Sequence, residues 1–255
     1  MAGPVVDILM YHSVSDAGGP TCIAPATFAM HMRAIADAGL PVVSLDDLLE
    51  ARAGRAALPP RSVIITFDDG FQDFADAAWP VMSRHGFRPI VYLPTGWVGR
   101  AEGWRGIADP PRALMSWATI RTLAGEGVEF GSHTVSHADM PALPDAALDQ
   151  ELTESRAMIA DHLGREVRHF APPYGRTDAR VRSRIARHYV SSVGTALATA
   201  TTTSPADDLP RIEMFYFTDD RRWRAHLAGQ GAAYLAKRRL LRTVRGAVMK
   251  PWAGI

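Results

Sequence analysis

The chain has 255 residues, 47% apolar and 22% charged, which is the balance of an ordinary globular protein with enough apolar chain for one large domain. Its single cysteine, Cys22, excludes an internal disulfide and any cysteine-based zinc site, so metal ligands must be His or carboxylate. The net charge of +1 conceals an asymmetry: residues 221–255 hold nine Lys and Arg and no acid, leaving 19 bases against all 27 acids before them, a net of −8.

Met1–Met10 lacks the charged n-region and cleavage site of a signal peptide, and no apolar run approaches the ~20 residues of a membrane span, so a cytoplasmic location is expected. Val5–Met10 reads as a strand ending at Tyr11-His12-Ser13, and Thr27–Ala38 as a helix with Phe28, Met32 and Ile35 on one face. A short strand, Pro41–Val43, precedes a helix over Leu45–Ala53 with Ser44 as N-cap and Asp47 completing a capping box. Ser62–Phe67 is a continuous β-branched run suited to a strand covered on both faces. It stops at Asp68-Asp69-Gly70, and a helix over Phe71–His85 follows, kinked or divided at Pro80.

Pro89–Leu93 predicts a strand, Thr95–Pro111 an irregular Gly- and Trp-rich loop, Leu114–Ala124 a helix and Val128–Gly131 a strand. Pro144–Leu163 is a long helix with Gly164 as C-cap. His169–Ala171 and Val190–Val193 are strands flanking a helix over Asp178–His188, Ala196–Ala206 is a loop, and Leu209–Phe215 is the last strand. This alternation predicts an α/β fold with a parallel sheet, open or closed into a barrel, over residues 1–220, followed by a basic helical extension over 221–255. In barrels, reactive groups collect at the carboxyl ends of strands. His12, Asp68-Asp69, His133 to His137, Pro172-Pro173-Tyr174 and Arg211 all fall at such ends.

Asp-Asp-Gly alone is a common turn. Placed between a buried strand and a helix, its two adjacent acids require a cation or a shared proton. Gly131-Ser132-His133-Thr134-Val135-Ser136-His137 supplies two histidines four apart, as on one face of a helical turn, although a pair of loop histidines is the plainer reading of that segment by itself. Together the segments offer an Asp-His-His set with open positions, the donor pattern of a catalytic zinc site that also accepts cobalt or nickel.

Thr66-Phe67-Asp68-Asp69-Gly70 and His133-Thr134-Val135-Ser136-His137, followed by Phe170-Ala171-Pro172-Pro173-Tyr174-Gly175 and preceded by Leu9-Met10-Tyr11-His12-Ser13-Val14, resemble the motifs of the polysaccharide deacetylases, the NodB-like family four of carbohydrate esterases. The resemblance spans roughly residues 5–215. It implies a distorted, seven-stranded (β/α) barrel and removal of N-acetyl groups from an acetylated amino sugar in a polymer, oligomer or lipid-linked saccharide. It further implies Asp69, His133 and His137 as metal ligands, Asp68 as general base, and the backbone N–H of Tyr174 as a donor to the oxyanion.

Two family features are missing. The third motif normally carries Arg where this chain has Ala171; Arg211 is the candidate replacement cation for Asp68, with Arg176 second. The late Leu-x-His motif that supplies a general acid is absent; His12 is better placed for that role than His226, which lies in the basic tail. A saccharide-binding barrel without catalysis, and a metal-dependent O-deacetylase or other amide hydrolase, are the alternative readings. Trp97, Trp104 and Trp117 flank the loop and serve either sugar stacking or packing. The tail, Gln230–Trp252, mixes Leu235, Leu240, Leu241, Val244 and Val248 with Lys and Arg. It reads either as a helix packed on the barrel or as one lying peripherally on the anionic inner membrane surface. No specific nucleic-acid motif is present.

Overall fold

A computed structural model describes residues 3–19, 21–104 and 110–248. Seven parallel strands close into a barrel: β1 (Val5–Tyr11), β2 (Arg61–Phe67), β3 (Ile90–Leu93), β4 (Glu129–Ser132), β5 (His169–Phe170), β6 (Ser191–Leu197) and β7 (Leu209–Glu213). They neighbour one another in chain order, and β7 closes the ring on β1 through Leu9↔Ile212 and Met10↔Glu213. The helices are α1 (Pro25–Asp37), α2 (Leu45–Arg52), α3 (Trp79–Arg84), α4 (Trp117–Gly125), α5 (Asp145–Leu163), α6 (Ala179–His188), α7 (Asp220–Ala225) and α8 (Ala232–Val248). No helix among the described residues is long and apolar enough to cross a membrane.

Strand alternation divides the core in two. Val6, Ile8, Ile64, Ile90, Tyr92, Val193 and Leu209 fill the barrel, while Leu9, Tyr11, Val63, Ile65, Phe67, Val91, Leu93 and Ile212 pack outward under the helices. Both faces are covered, which is why β2 is apolar throughout. Continuing the inward parity past the last apolar residue of each strand brings His12, Asp68, His133, Arg211 and Glu213 to the inner side of the carboxyl end. The parity is a property of the strand, so it needs no special backbone to deliver them.

Local signals explain most helix ends. Ser44 accepts from the Asp47 N–H while Asp47 reaches back to the Ser44 N–H, and Gly164 ends α5 at φ 64°. Several boundaries differ from expectation. Pro41–Val43 contributes only a single bridge, Val42 to Val63. The helix expected from Leu114 begins at Trp117, because Ser116 caps it through the Thr119 N–H and Leu114 bridges to Phe71 instead. The Phe71–His85 helix contains a wide turn over Phe74–Ala78, where the Trp79 N–H returns to the Phe74 carbonyl just before Pro80, which has no N–H of its own. The expected loop over Ala196–Ala206 holds the end of β6 and a short strand, Ala200–Thr201, antiparallel to the start of β1. Small Thr- and Ala-rich segments carry no apolar alternation, so pairing with β1 fixes them rather than their own pattern. Part of the Trp-rich loop (105–109) and the chain end, including Lys250 and Trp252, lie outside the described residues.

One polar element is built into the packing outside the barrel. The His31 Nε2–H donates to the Phe217 carbonyl at 2.6 Å, so in the neutral ring Nδ1 accepts from the Tyr11 hydroxyl at 3.0 Å. Burial pushes the His31 pKa down to about 4. The unfolded ring titrates near ~6.5, so the unfolded chain binds the extra proton between these values. Stability is therefore complete above that window and falls as pH drops from ~6.5 towards 4, by roughly 3 kcal/mol when the window is fully crossed. Urea unfolding from pH 7 to pH 4 should show a shallower loss in His31→Gln; equal slopes in the two proteins would reject this assignment.

Candidate metal centre and active site

Asp69, His133 and His137 come together at the carboxyl ends of β2 and β4. Their donor atoms all lie within 4.8 Å of one another, and all three residues are buried. Asp69 Oδ1 stands 3.4 Å from His133 Nε2 and 3.2 Å from His137 Nε2, yet no aligned hydrogen bond satisfies this buried oxygen. His133 Nδ1 donates to the Ala171 carbonyl at 2.6 Å, which leaves Nε2 as the lone-pair atom of the neutral ring, facing Asp69. Burial opposes a charge on Asp69; imidazole N–H groups turned to it outweigh that and hold the carboxyl well below the usual carboxylate range, whereas with the Nε2 lone pairs turned to it a cation must take their place. Burial also pushes His137 down, keeping that ring a lone-pair donor. A buried oxygen without a hydrogen-bond donor, facing two imidazole nitrogens, is the donor chemistry that a divalent zinc-like ion satisfies.

The histidines do not share a helical turn, as their spacing suggested. Residues 133–137 form a loop in which Thr134 has φ 68° and His137 has φ 60°, with the Thr134 hydroxyl accepting from the His137 N–H. Glu151 on α5 holds this loop: one carboxylate oxygen accepts from the Val135 and Ser136 N–H groups at 2.7 and 3.0 Å, and the other from the Ser136 hydroxyl at 2.6 Å. A carboxylate bracing the loop from a helix replaces the intrahelical bonds that a turn would supply.

Among the described residues, four that are not glycine take positive φ: Asp69, Thr134, His137 and Tyr174. All four belong to this site. Such conformations cost on the order of 1–3 kcal/mol each and persist where surrounding contacts over-determine them. Gly70, at φ 66°, continues the turn after Asp69, and a Cβ there would meet the Leu93 side chain at 2.7 Å. This explains why the acids are followed by glycine.

Asp68 faces a different partner. Arg211 grips both of its oxygens, with Nη1 at 2.7 Å from Oδ1 and Nη2 at 2.8 Å from Oδ2. Arg211 is itself anchored by Nε to the Gly194 carbonyl at 2.8 Å and by Nη1 to the Thr66 hydroxyl at 3.1 Å. Both side chains are almost fully buried. Burial would raise the Asp68 pKa; the guanidinium more than offsets this and holds it below the ordinary range. The position left by Ala171 is thus served by a cation from the last strand. Arg176, the second candidate, instead pairs with Asp139 at the surface.

His12 approaches Asp68 from β1, its Nε2 3.8 Å from Oδ2. His226 is elsewhere: it lies beside Asp7 and Arg61, at the opposite ends of β1 and β2. Tyr174, in the turn Pro173–Gly175, places its ring 4.6 Å from that of His137. Trp104 stacks on His137 at 4.3 Å, and the Trp97 indole N–H donates to the Ser136 carbonyl. Trp117 stacks on His162 instead, on the helical layer. Two residues at the site went unread in the sequence. Glu151 gives no signal there, being one of several acids on a long helix. Glu213 could have been found, since it lies two residues beyond Arg211 on the same inward parity. It shares a hollow with His12, and burial pushes its carboxyl up.

The family model described as "Polysaccharide deacetylase" matches residues 55–193. The poly-beta-1,6-N-acetyl-D-glucosamine N-deacetylase of Escherichia coli (strain K12) is 31% identical over 131 residues, covering 49% of this chain and 19% of that protein. A chitin deacetylase of Pestalotiopsis sp is 27% identical over 124 residues, 49% of this chain and 38% of that protein. The chain therefore matches well under half the length of either relative. The solved structure of IcaB from Ammonifex degensii superposes with a TM-score of 0.74 at 24% identity, covering 90% of this chain and 98% of that one, a likeness of fold.

Proposed function

The chain belongs to the polysaccharide deacetylase family, and on that footing we propose that it is a metal-dependent hydrolase removing N-acetyl groups from an amino sugar in a saccharide. The observation that carries this reading is the convergence of Asp69 Oδ1 with the Nε2 atoms of His133 and His137, directly beside an Asp68 kept ionised by Arg211. Asp69, His133 and His137 would hold a divalent metal, zinc by the softness of the donors, with cobalt or nickel also accepted. Bound there, the metal supplies Lewis acidity, lowering the pKa of water and polarising the acetamide carbonyl.

The remaining chemistry falls to the chain. Asp68 takes a proton from the attacking water as its oxygen adds to the amide carbon. The Tyr174 backbone N–H donates to the oxygen on which charge develops. The C–N bond then breaks, releasing acetate, and the proton passes to the departing amine from His12, with Glu213 beside it in the same hollow. Trp104, backed against His137, offers an apolar wall to a sugar ring. A binding barrel without catalysis was suggested by the loss of Arg at position 171; the Arg211–Asp68 pair favours the enzyme, because a base competent for catalysis has its cation.

Zinc-loaded protein should release acetate from N-acetylated glucosamine oligomers faster than from O-acetylated ones. His133→Ala or Asp69→Ala should lose the metal, measured by elemental analysis, and activity with it. Metal-loaded protein silent across acetylated amino sugars would overturn the reading, and preference for O-acetyl substrates would reassign the reaction. Glu151→Ala should weaken zinc affinity about 10- to 100-fold by calorimetry, since it frees the loop between the two histidines. An unchanged affinity would remove Glu151 from the support of the site.

A further inference from the structure

We propose that α8 is a docking surface for an anionic bilayer, seated beside the mouth of the barrel. The helix gives the barrel a mixed face, apolar and basic, and leaves further apolar residues outside. Leu235 is buried, the Tyr234 hydroxyl donates to the Tyr216 carbonyl at 2.6 Å, and Arg238 lies over the Tyr216 ring. One turn further on, Arg242 turns inward and donates to the Thr195 carbonyl at 3.1 Å. Residues 235, 238 and 242 recur at helical spacing and mark the face turned to the barrel. Leu240 and Val244 lie on the opposite face and Leu241 at its edge, 65%, 51% and 47% exposed, with exposed Lys237 and Arg239 alongside.

A solvated helix would bury its leucines and present its arginines. Here Arg238 and Arg242 share the protein side with Leu235 while Leu240, Leu241 and Val244 stay exposed, so the outer stripe answers to something other than the barrel. Charge selects the occupant. The last 35 residues hold nine bases and no acid, and an apolar stripe flanked by Lys and Arg on such a segment matches anionic headgroups over acyl chains.

The position matters for the site. Thr195 lies near the carboxyl end of β6, and the Pro173–Gly175 turn packs directly against it. Two of the other large apolar side chains exposed among the described residues, Tyr174 and Phe215, stand at the same end of the barrel. A bilayer under α8 therefore lies next to the opening through which substrate enters, which suits a saccharide held at a membrane surface. Only that last consequence rests on the proposed deacetylase activity; the docking surface stands apart from it.

The test uses the full chain and reads binding, not catalysis. Co-sedimentation is expected with phosphatidylcholine–phosphatidylglycerol vesicles and not with phosphatidylcholine alone, and it should weaken as salt is added. Lys237→Gln and Arg239→Gln should each lower partitioning about five-fold. Leu240→Ser/Leu241→Ser/Val244→Ser should abolish it while leaving the thermal melt in place, because these side chains touch solvent. Equal binding to neutral and anionic vesicles, or binding unaffected by the triple change, would overturn the proposal. So would light scattering that shows a dimer dissolved by the triple variant in a protein that ignores vesicles, since the face would then belong to a second copy of the chain.

Discussion

Asp68→Asn is expected to lower kcat about a thousand-fold while the protein still binds one metal ion, a loss within the range for removing a general base. The amide keeps the shape of the carboxylate but cannot take a proton from water. Its effect on structure is confined by geometry: Asp69, His133 and His137 are untouched, and Asp68 lies outside their cluster. The substitution has a second consequence that must be separated from the first. Arg211 donates to both oxygens of Asp68, so the amide nitrogen would confront a guanidinium donor and leave a buried cation partly unpaired. A lowered melting temperature should therefore accompany the loss of turnover, and kinetics must be measured well below it. Near-normal turnover would remove Asp68 as the base; loss of the metal would mean that the division of labour between the two aspartates is wrong.

Arg211→Met is expected to destabilise the fold by roughly 3–5 kcal/mol, the range for removing one partner of a buried ion pair. Met fills comparable space, so the cost is electrostatic rather than a cavity. Without the guanidinium, burial dominates and the Asp68 pKa rises. The sign follows directly. Activity needs the carboxylate, so the acid limb of kcat/KM against pH should move to higher pH, by about one to three units. Arg211→Lys should fall between, since it keeps the charge and loses the two-pronged grip. An Ala171→Arg change in the Arg211→Met background tests whether the cation can be supplied from the neighbouring motif; partial recovery of the acid limb is the expected result. Folded Arg211→Met protein with an unmoved acid limb would show that Asp68 does not depend on this pair.

The two aspartates differ because the chain turns between them. Asp68 keeps the inward parity of β2, which continues Ile64 and Thr66, and so points into the barrel mouth towards Arg211. Asp69 enters the left-handed region at φ 70° and swings towards the histidines. Neighbouring residues of the same type thus receive opposite partners, and the strain at Asp69 is held by the Gly70 turn and the packing beneath it.

Much of this was legible in the residues alone. The alternation of apolar runs with amphipathic segments gave the parallel α/β architecture, because a strand covered on both faces must be apolar throughout and a helix covering it must be apolar on one side only. The Asp-Asp and His-x-x-x-His segments identified the candidate metal donors, since their chemistry belongs to the side chains themselves. The basic, acid-free tail was equally visible, as charge is a property of composition.

What only the tertiary structure decided is which distant groups meet. The Asp68–Arg211 pair spans 143 positions; a place on a later strand ranks Arg211 ahead of Arg176, but only ring closure of β7 on β1 brings the two groups into contact. The same holds for the non-helical histidine loop, whose backbone is set by Glu151 from another element, and for α8, whose periodicity defined two faces but not which of them the barrel would take. Periodicity and side-chain chemistry are local and can be read along the chain. Partner choice depends on closure of the barrel, which exists only once all seven strands have come together.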